Sequence, residues 1–203
     1  MPLSPQSMSS TMQGQFSGVG FTGPRIRDFC DIISTGTVNS IVGKPFMTVD
    51  VGALPGAGMG TGVGLLGVLG TATSGLLFSQ FGGFGFAGPM LKQLCDVLGT
   101  SLELELLKAT LSSTHTPVFV GSGTVIPGSI PIVGAEIASM IQSEGASANF
   151  VGPMFAQFCL AVGNAFQLSM LTATGQVVIA GAFAGPVPPG PIPGGGAGVG
   201  TIS

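Results

Sequence analysis

Three stretches of this 203-residue chain repeat one pattern at a nearly constant interval. Phe21, Gly23 and Pro24 lead through Phe29 to Cys30; Phe86, Gly88 and Pro89 lead through Leu94 to Cys95; Phe150, Gly152 and Pro153 lead through Phe158 to Cys159. The interval is 65 residues from Phe21 to Phe86 and 64 from Phe86 to Phe150, and the cysteines keep the same spacing. Self-similarity at a fixed period constrains a fold more than local propensity does, because each copy must adopt one supersecondary unit. The expected units are residues 1–62, 63–131 and 132–203.

Each copy continues in the same order. A β-branched segment follows the helical run, carrying Val49 and Val51, then Val118 and Val120, then Val178 and Ile179. A Pro/Gly stretch follows in turn, marked by Pro55, by Pro127, and by Pro188 with Pro193. After each Gly-Pro, apolar residues recur at three- and four-residue steps, as in Met90, Leu91, Leu94, Cys95, Leu98 and Leu102. That is the period of an amphipathic helix, with Pro near the first turn, where its missing N–H costs nothing. Helices are predicted over about 24–41, 89–110 and 153–172, and weaker ones over 7–16, 65–78 and 133–143. Phe-x-Gly-Pro then reads as a tight corner between two helices, since Gly accepts positive φ and Pro cannot continue the preceding helix. The expected fold class is α+β: three tandem units of helix, corner, helix, strand and Pro/Gly-rich arm in a pseudo-threefold arrangement. A single strand per unit leaves backbone groups unpaired, so the strands are expected to pair with their counterparts or with a neighbouring chain.

Charge narrows the class further. Only 6% of residues are charged while 45% are hydrophobic. A freely dispersed domain carries roughly a quarter to a third charged residues on its surface. Disorder is excluded for most of the chain, because disordered segments are poor in apolar residues. A bilayer is the second environment that tolerates so few charges, and 62–80 is the candidate spanning or inserting segment; its glycines and the missing Trp and Tyr count against it. Burial in a protein assembly is the reading left. From Phe21 to Val51 there are six charged residues and from Gly145 to Ser203 there are none, so the C-terminal part is expected to be covered by neighbours.

No constellation points to catalysis. The glycines between Pro55 and Gly62 lack the Lys-Ser/Thr or ribose-binding partner of a nucleotide loop. His115 stands alone and reads as a polar residue at a helix-to-strand junction. Three thiolates meeting on an axis would suit a soft metal, but each Cys sits in an apolar run, where a buried thiol packs as a small hydrophobe. Glu103 and Glu105 point to different faces of their helix, whereas Asp28 and Asp31 share one with Arg25. Five Lys plus Arg against a net charge of −3 exclude a nucleic-acid footprint. The reading is no enzyme, no cofactor, no metal and no small-molecule substrate. No basic region precedes an apolar stretch at the N-terminus, so no secretory signal is expected.

The opening Met1-Pro2-Leu3-Ser4 into a helix, the strand from Gln176 to Ala180 and the tail from Pro186 to Gly200 together resemble small Ala/Gly-rich virion structural proteins of tailed bacteriophages. The resemblance implies a capsid, vertex or baseplate part, placed in the virion after assembly in the host cytoplasm. Its partners would be copies of itself or other virion proteins, joined by helix packing and by strand or arm exchange. A membrane-associated protein and a self-assembling cellular shell or filament are the rival readings.

Overall fold

A computed structural model describes residues 3–54, 58–63, 68–108, 110–116, 120–125, 132–183 and 192–202. The fold is α+β. The order of elements is α1 (Pro5–Gly18), α2 (Ile26–Ile41), β1 (Pro45–Leu54) and β2 (Gly58–Val63), followed by α3 (Gly70–Gly83), α4 (Leu91–Lys108), β3 (Thr110–Thr116) and β4 (Val120–Val125). Then come α5 (Gly134–Ser147), α6 (Pro153–Met170), β5 (Gly175–Phe183) and β6 (Ile192–Ile202). All six helices lie within a few residues of where periodicity puts them, except that α3 begins at Gly70 rather than near 65.

The helices form a closed ring. Each packs on the next along the chain, and α6 packs back on α1. Their buried faces make one core, in which Ile33 of α2, Leu98 of α4 and Val162 of α6 surround a residual cavity of only about 20 Å³. Thr37, Leu102 and Phe166, one helical turn further on, line the same space. A stripe repeating at four residues on three helices thus fills the middle of the ring.

The strands leave from the C-terminal ends of α2, α4 and α6 and close into a six-stranded antiparallel barrel in sequence order. The seam joins the first strand to the last, with Pro45 opposite Thr201 at one end and Leu54 opposite Ile192 at the other. The Gly43 N–H donates to the Ile202 carbonyl at 3.0 Å, tying that seam to the end of α2. Phe46 is fully buried, whereas its neighbour Met47 is 54% exposed and Val49 67% exposed, the alternation of a strand with one covered face. Cross-strand partners share a face. Gly200 is opposite Phe46, Gly198 and Gly62 are both opposite Thr48, and Gly196 and Gly60 are both opposite Asp50. Glycine therefore fills alternate rows of β2 and β6 on the face of Phe46. A barrel of about eight strands is just wide enough inside for side chains, and six strands leave less room, so glycine at every second position of β2 and β6 eases so tight a closure.

Several expectations are corrected by this arrangement. The Pro/Gly arms after the first and third predicted strands are themselves strands: Gly58–Val63 and Ile192–Ile202 form β2 and β6, and Pro193 lies opposite Ala53 in the ladder. Alternating glycine removes half the side-chain signal of a strand, which is why they read as coil. Of the two expected partners for the strands, counterparts or a neighbouring chain, the structure shows the first: the strands pair with one another inside the chain, and the barrel closes on itself. His115 lies in β3, in register with Gly58 and Gly123, and not at a turn. The apolar segment 62–80 is divided between the end of β2 and the 14-residue α3, and no helix among the described residues is long and apolar enough to cross a membrane. Val51 pairs with Met59 and Gly195, Val120 with Ala180, Val178 with Ser122 and Val199, and Ile179 with Gly121 and Gly198. Pro55, Val118, Pro127 and Pro188 lie outside the described residues.

Candidate assembly surfaces

The corners expected at Phe-x-Gly-Pro are built by one hydrogen-bond pattern, used three times. The N–H of Phe21 reaches back to the Phe16 carbonyl, that of Phe86 to Phe81, and that of Phe150 to Gly145, at 2.9, 2.9 and 2.8 Å. The residue before each Phe bonds three positions back and has left-handed φ: 82° at Gly20, 73° at Gly85 and 63° at Asn149. This is the Schellman ending of a helix, with the left-handed residue just past its end. The residue that turns the chain is therefore the one before the Phe. Of the Gly-Pro glycines, Gly152 alone has a φ well inside the left-handed region, at 114°. Pro153 opens α6 at its first position, whereas Pro24 and Pro89 sit in a turn ahead of α2 and α4, closed by Ile26 N–H to Gly23 O and Leu91 N–H to Gly88 O at 3.2 Å each.

Aromatic contacts join the corners. Phe21 packs on Phe16 and Phe86 on Phe81, with centroids 5.3 and 5.4 Å apart, while Phe29 meets both Phe86 and Phe158 at 6.1 Å. The Arg25 guanidinium stands 3.9 Å from the centroid of the Phe86 ring and donates to the Phe84 carbonyl, locking the first corner to the second. The equivalent position near the third corner is Met154, and an open apolar cleft of about 340 Å³ lies there, lined in part by Phe21, Phe29, Leu94, Phe150 and Phe158. Leu94 occupies the place that Phe29 and Phe158 fill in the other two stretches, so the cleft lies where one ring of three is missing.

Cys30, Cys95 and Cys159 are completely buried and free. Burial pushes the Cys30 thiol up to about 12, helped by the charge of Asp31; burial also raises Cys95 to about 11 and Cys159 to about 12. Such thiols are neither nucleophiles nor ready ligands. Among the described residues, no three His, Cys, Asp or Glu side chains come together as a metal-binding group.

Polar contacts between paired helices follow the same spacing, then drop out. Ser9 donates to Asp31 and Ser74 to Asp96, each at 2.5 Å, and Arg27 and Lys92 pair with those carboxylates one turn away. Burial acts to raise the Asp96 acid, but the hydrogen bonds from Lys92 and Ser74 outweigh it and hold the carboxyl below its usual value. The corresponding residues in α5 and α6 are Ala138 and Leu160, which carry no polar side-chain atoms to form such a pair. At the other end of the helix pairs, Glu103 accepts the Gly70 N–H and Gln167 the Gly134 N–H, both at 2.8 Å. The corresponding position in α1 is Pro5, which has no N–H, and the position of α2 that matches Glu103 and Gln167 is Val38. Sequence reading missed this pairing because the partners lie 33 residues apart and differ in type.

The outer surface is unusually apolar. Leu160, Leu168 and Leu171 on or just after α6 are 46, 48 and 44% exposed, and Val151 and Met154 at the third corner 75 and 52%. Neither α6 nor its neighbour α1 contains a charged residue. The remaining exposed apolar side chains include Phe78 and Phe84 near the second corner, and Leu104 and Leu107 on α4. Comparison with known protein families, with curated protein sequences and with solved structures finds no match to this chain.

Proposed function

We propose that this protein is a non-enzymatic structural component of a virus particle or phage tail-like assembly, in which three helix-helix-hairpin units of one chain form a pseudo-threefold body. The observation that carries the reading is the exposed leucines, Val151 and Met154 on the uncharged α6 side of the helix ring. Isolated exposed apolar residues are ordinary, but a surface with this many, and few charges between them, is the signature of a face covered by a partner. The partner is another copy of this chain or another virion protein.

The barrel changes the mode of attachment. With strand edges paired inside the chain, helix packing against the α6–α1 side replaces strand exchange as the joint. Triplication inside one chain suits a place on a threefold or sixfold axis, where one body meets several identical neighbours. The graded loss of polar pairs from the first unit to the third then distinguishes an exposed side from a covered one.

Sedimentation of the purified chain tests the assembly reading. Oligomers or insolubility are expected, with Leu160→Lys plus Leu168→Lys shifting material toward monomer; a stable, soluble wild-type monomer sinks the reading. Mass spectrometry of purified particles from the source tests the virion placement, and failure to find the chain there removes it.

A further inference from the structure

Glu105 breaks a pattern kept at the matching positions of α2 and α6. Ser40 and Ser169 stand 65 residues before it and 64 after it, both buried, and each hydroxyl donates to its own helix, to Thr37 O at 2.7 Å and Ala165 O at 2.8 Å. A glutamate cannot be satisfied that way, being longer and an acceptor when ionised. Its side chain is 5% exposed and sits where α4 packs on α5. The Val133 backbone gives it a hydrogen bond, but Oε2 is buried without one. Among the described residues, Lys108, 65% exposed, is the cation beside it, with Nζ 4.0 Å from Oε2. From α5, Glu136 adds a like charge; α3, on the other flank of α4, contains no titratable residue; Glu103 is engaged with Gly70.

We propose that Glu105 is a proton-operated latch on the α4–α5 seam: neutral, it stays buried and the helix ring is closed; ionised, it is expelled toward solvent and the ring opens there. A neutral carboxyl can remain in the core and donate its proton to a hydrogen bond, whereas a buried carboxylate with an unsatisfied oxygen and an anionic neighbour is costly. Burial and then Glu136 raise the pKa of Glu105 above its ordinary value, making it a weaker acid, with Lys108 and the Val133 N–H opposing in part. For an acid raised in the folded state, the stabilisation is fully present below the usual glutamate range and is lost as pH rises through the folded value. The seam is therefore tightest in mild acid and loosens toward neutrality, opposite to the response of Asp96.

Amide hydrogen exchange of the full chain between pH 4.5 and 8, corrected for intrinsic rates, reads this directly, with the α1–α2 pair as internal reference. The opening constant of α4 and α5 should rise by up to tenfold per pH unit across the transition, the limit for one proton released. Glu105→Gln should flatten the dependence, and Glu136→Gln should reduce its amplitude. Should Glu105→Gln fold poorly, Glu105→Ser restores the residue type of Ser40 and Ser169 and should give a seam closed at every pH. Wild-type protection independent of pH, or a dependence that survives in the folded variant, overturns the latch.

Discussion

Substituting Gly99 by alanine tests how closely the helices must approach. A methyl at Gly99 would stand 2.3 Å from the Gly70 carbonyl oxygen and 3.0 Å from the Ser74 nitrogen. Both obstacles are backbone, so no side chain can swing aside and α3 itself must move. Alanine in a helix interior is favoured over glycine by about 1 kcal/mol, whereas overpacking costs about 1–3 kcal/mol. Moving α3 also strains the Gly70–Glu103 hydrogen bond, and bonds to charged groups are worth about 1.5–3 kcal/mol. The net loss expected for Gly99→Ala is roughly 2–3 kcal/mol, a fall of about 4–12 °C in Tm for a chain of this size. Gly75→Ala is the control: nothing lies within 4 Å of its added methyl, the site is exposed, and Tm should rise by about 2–4 °C. Thermal unfolding followed by circular dichroism decides the matter. If Gly99→Ala proves as stable as Gly75→Ala, the close crossing of α3 and α4 is refuted. Gly163→Ala, 2.2 Å from the Gly134 oxygen, should repeat the loss in the third helix pair.

The helix endings give a second contrast: Gly85→Ala, at φ 73°, should cost about 1–2 kcal/mol, and Asn149→Gly should be neutral or stabilising, both read by chemical denaturation. The three thiols should resist a disulfide reagent in the native protein and react together once denaturant is added; fast labelling of any one under native conditions contradicts their burial. Asp96, held below its usual value, contributes stability above the ordinary aspartate range that disappears as pH falls through the folded value. Asp96→Asn should therefore remove a modest increment at pH 6, under about 1 kcal/mol for so exposed a pair, and progressively less as pH falls below the ordinary aspartate range; an effect that does not shrink there would count against it.

How much of this was legible in the sequence depended on what each element leaves visible. The run from Met90 to Leu102 declares its helix because each apolar residue is present in side chain and in spacing. Strand β2, Gly-Met-Gly-Thr-Gly-Val, hides itself because every second residue is glycine, and glycine is read as a sign of coil. Strand β3 is hidden differently, by Ser, Thr and His with only Leu111 apolar, so a strand whose pairing comes from its neighbours in the barrel resembles a polar linker. The corner was placed correctly from Gly-Pro, yet the turning residue was misread, since Asn149 takes the left-handed position without being glycine. Of Glu105 the sequence says only that it points to a different face from Glu103, because spacing along α4 says nothing of α5 arriving against it.

The seam between β1 and β6 has a consequence in time. Residues that pair there, such as Phe46 and Gly200, stand more than 150 positions apart, and such distant pairings form slowly because the loop between them must first be ordered. During synthesis each helix pair can form as soon as it emerges, since α1 and α2, α3 and α4, and α5 and α6 are local. The first strand must wait, one side unsatisfied, until the final glycine-rich strand leaves the ribosome. Over that interval the nascent chain presents the open edge that the finished protein conceals, and a ribosome stalled before residue 192 would release a product prone to pairing with its own kind.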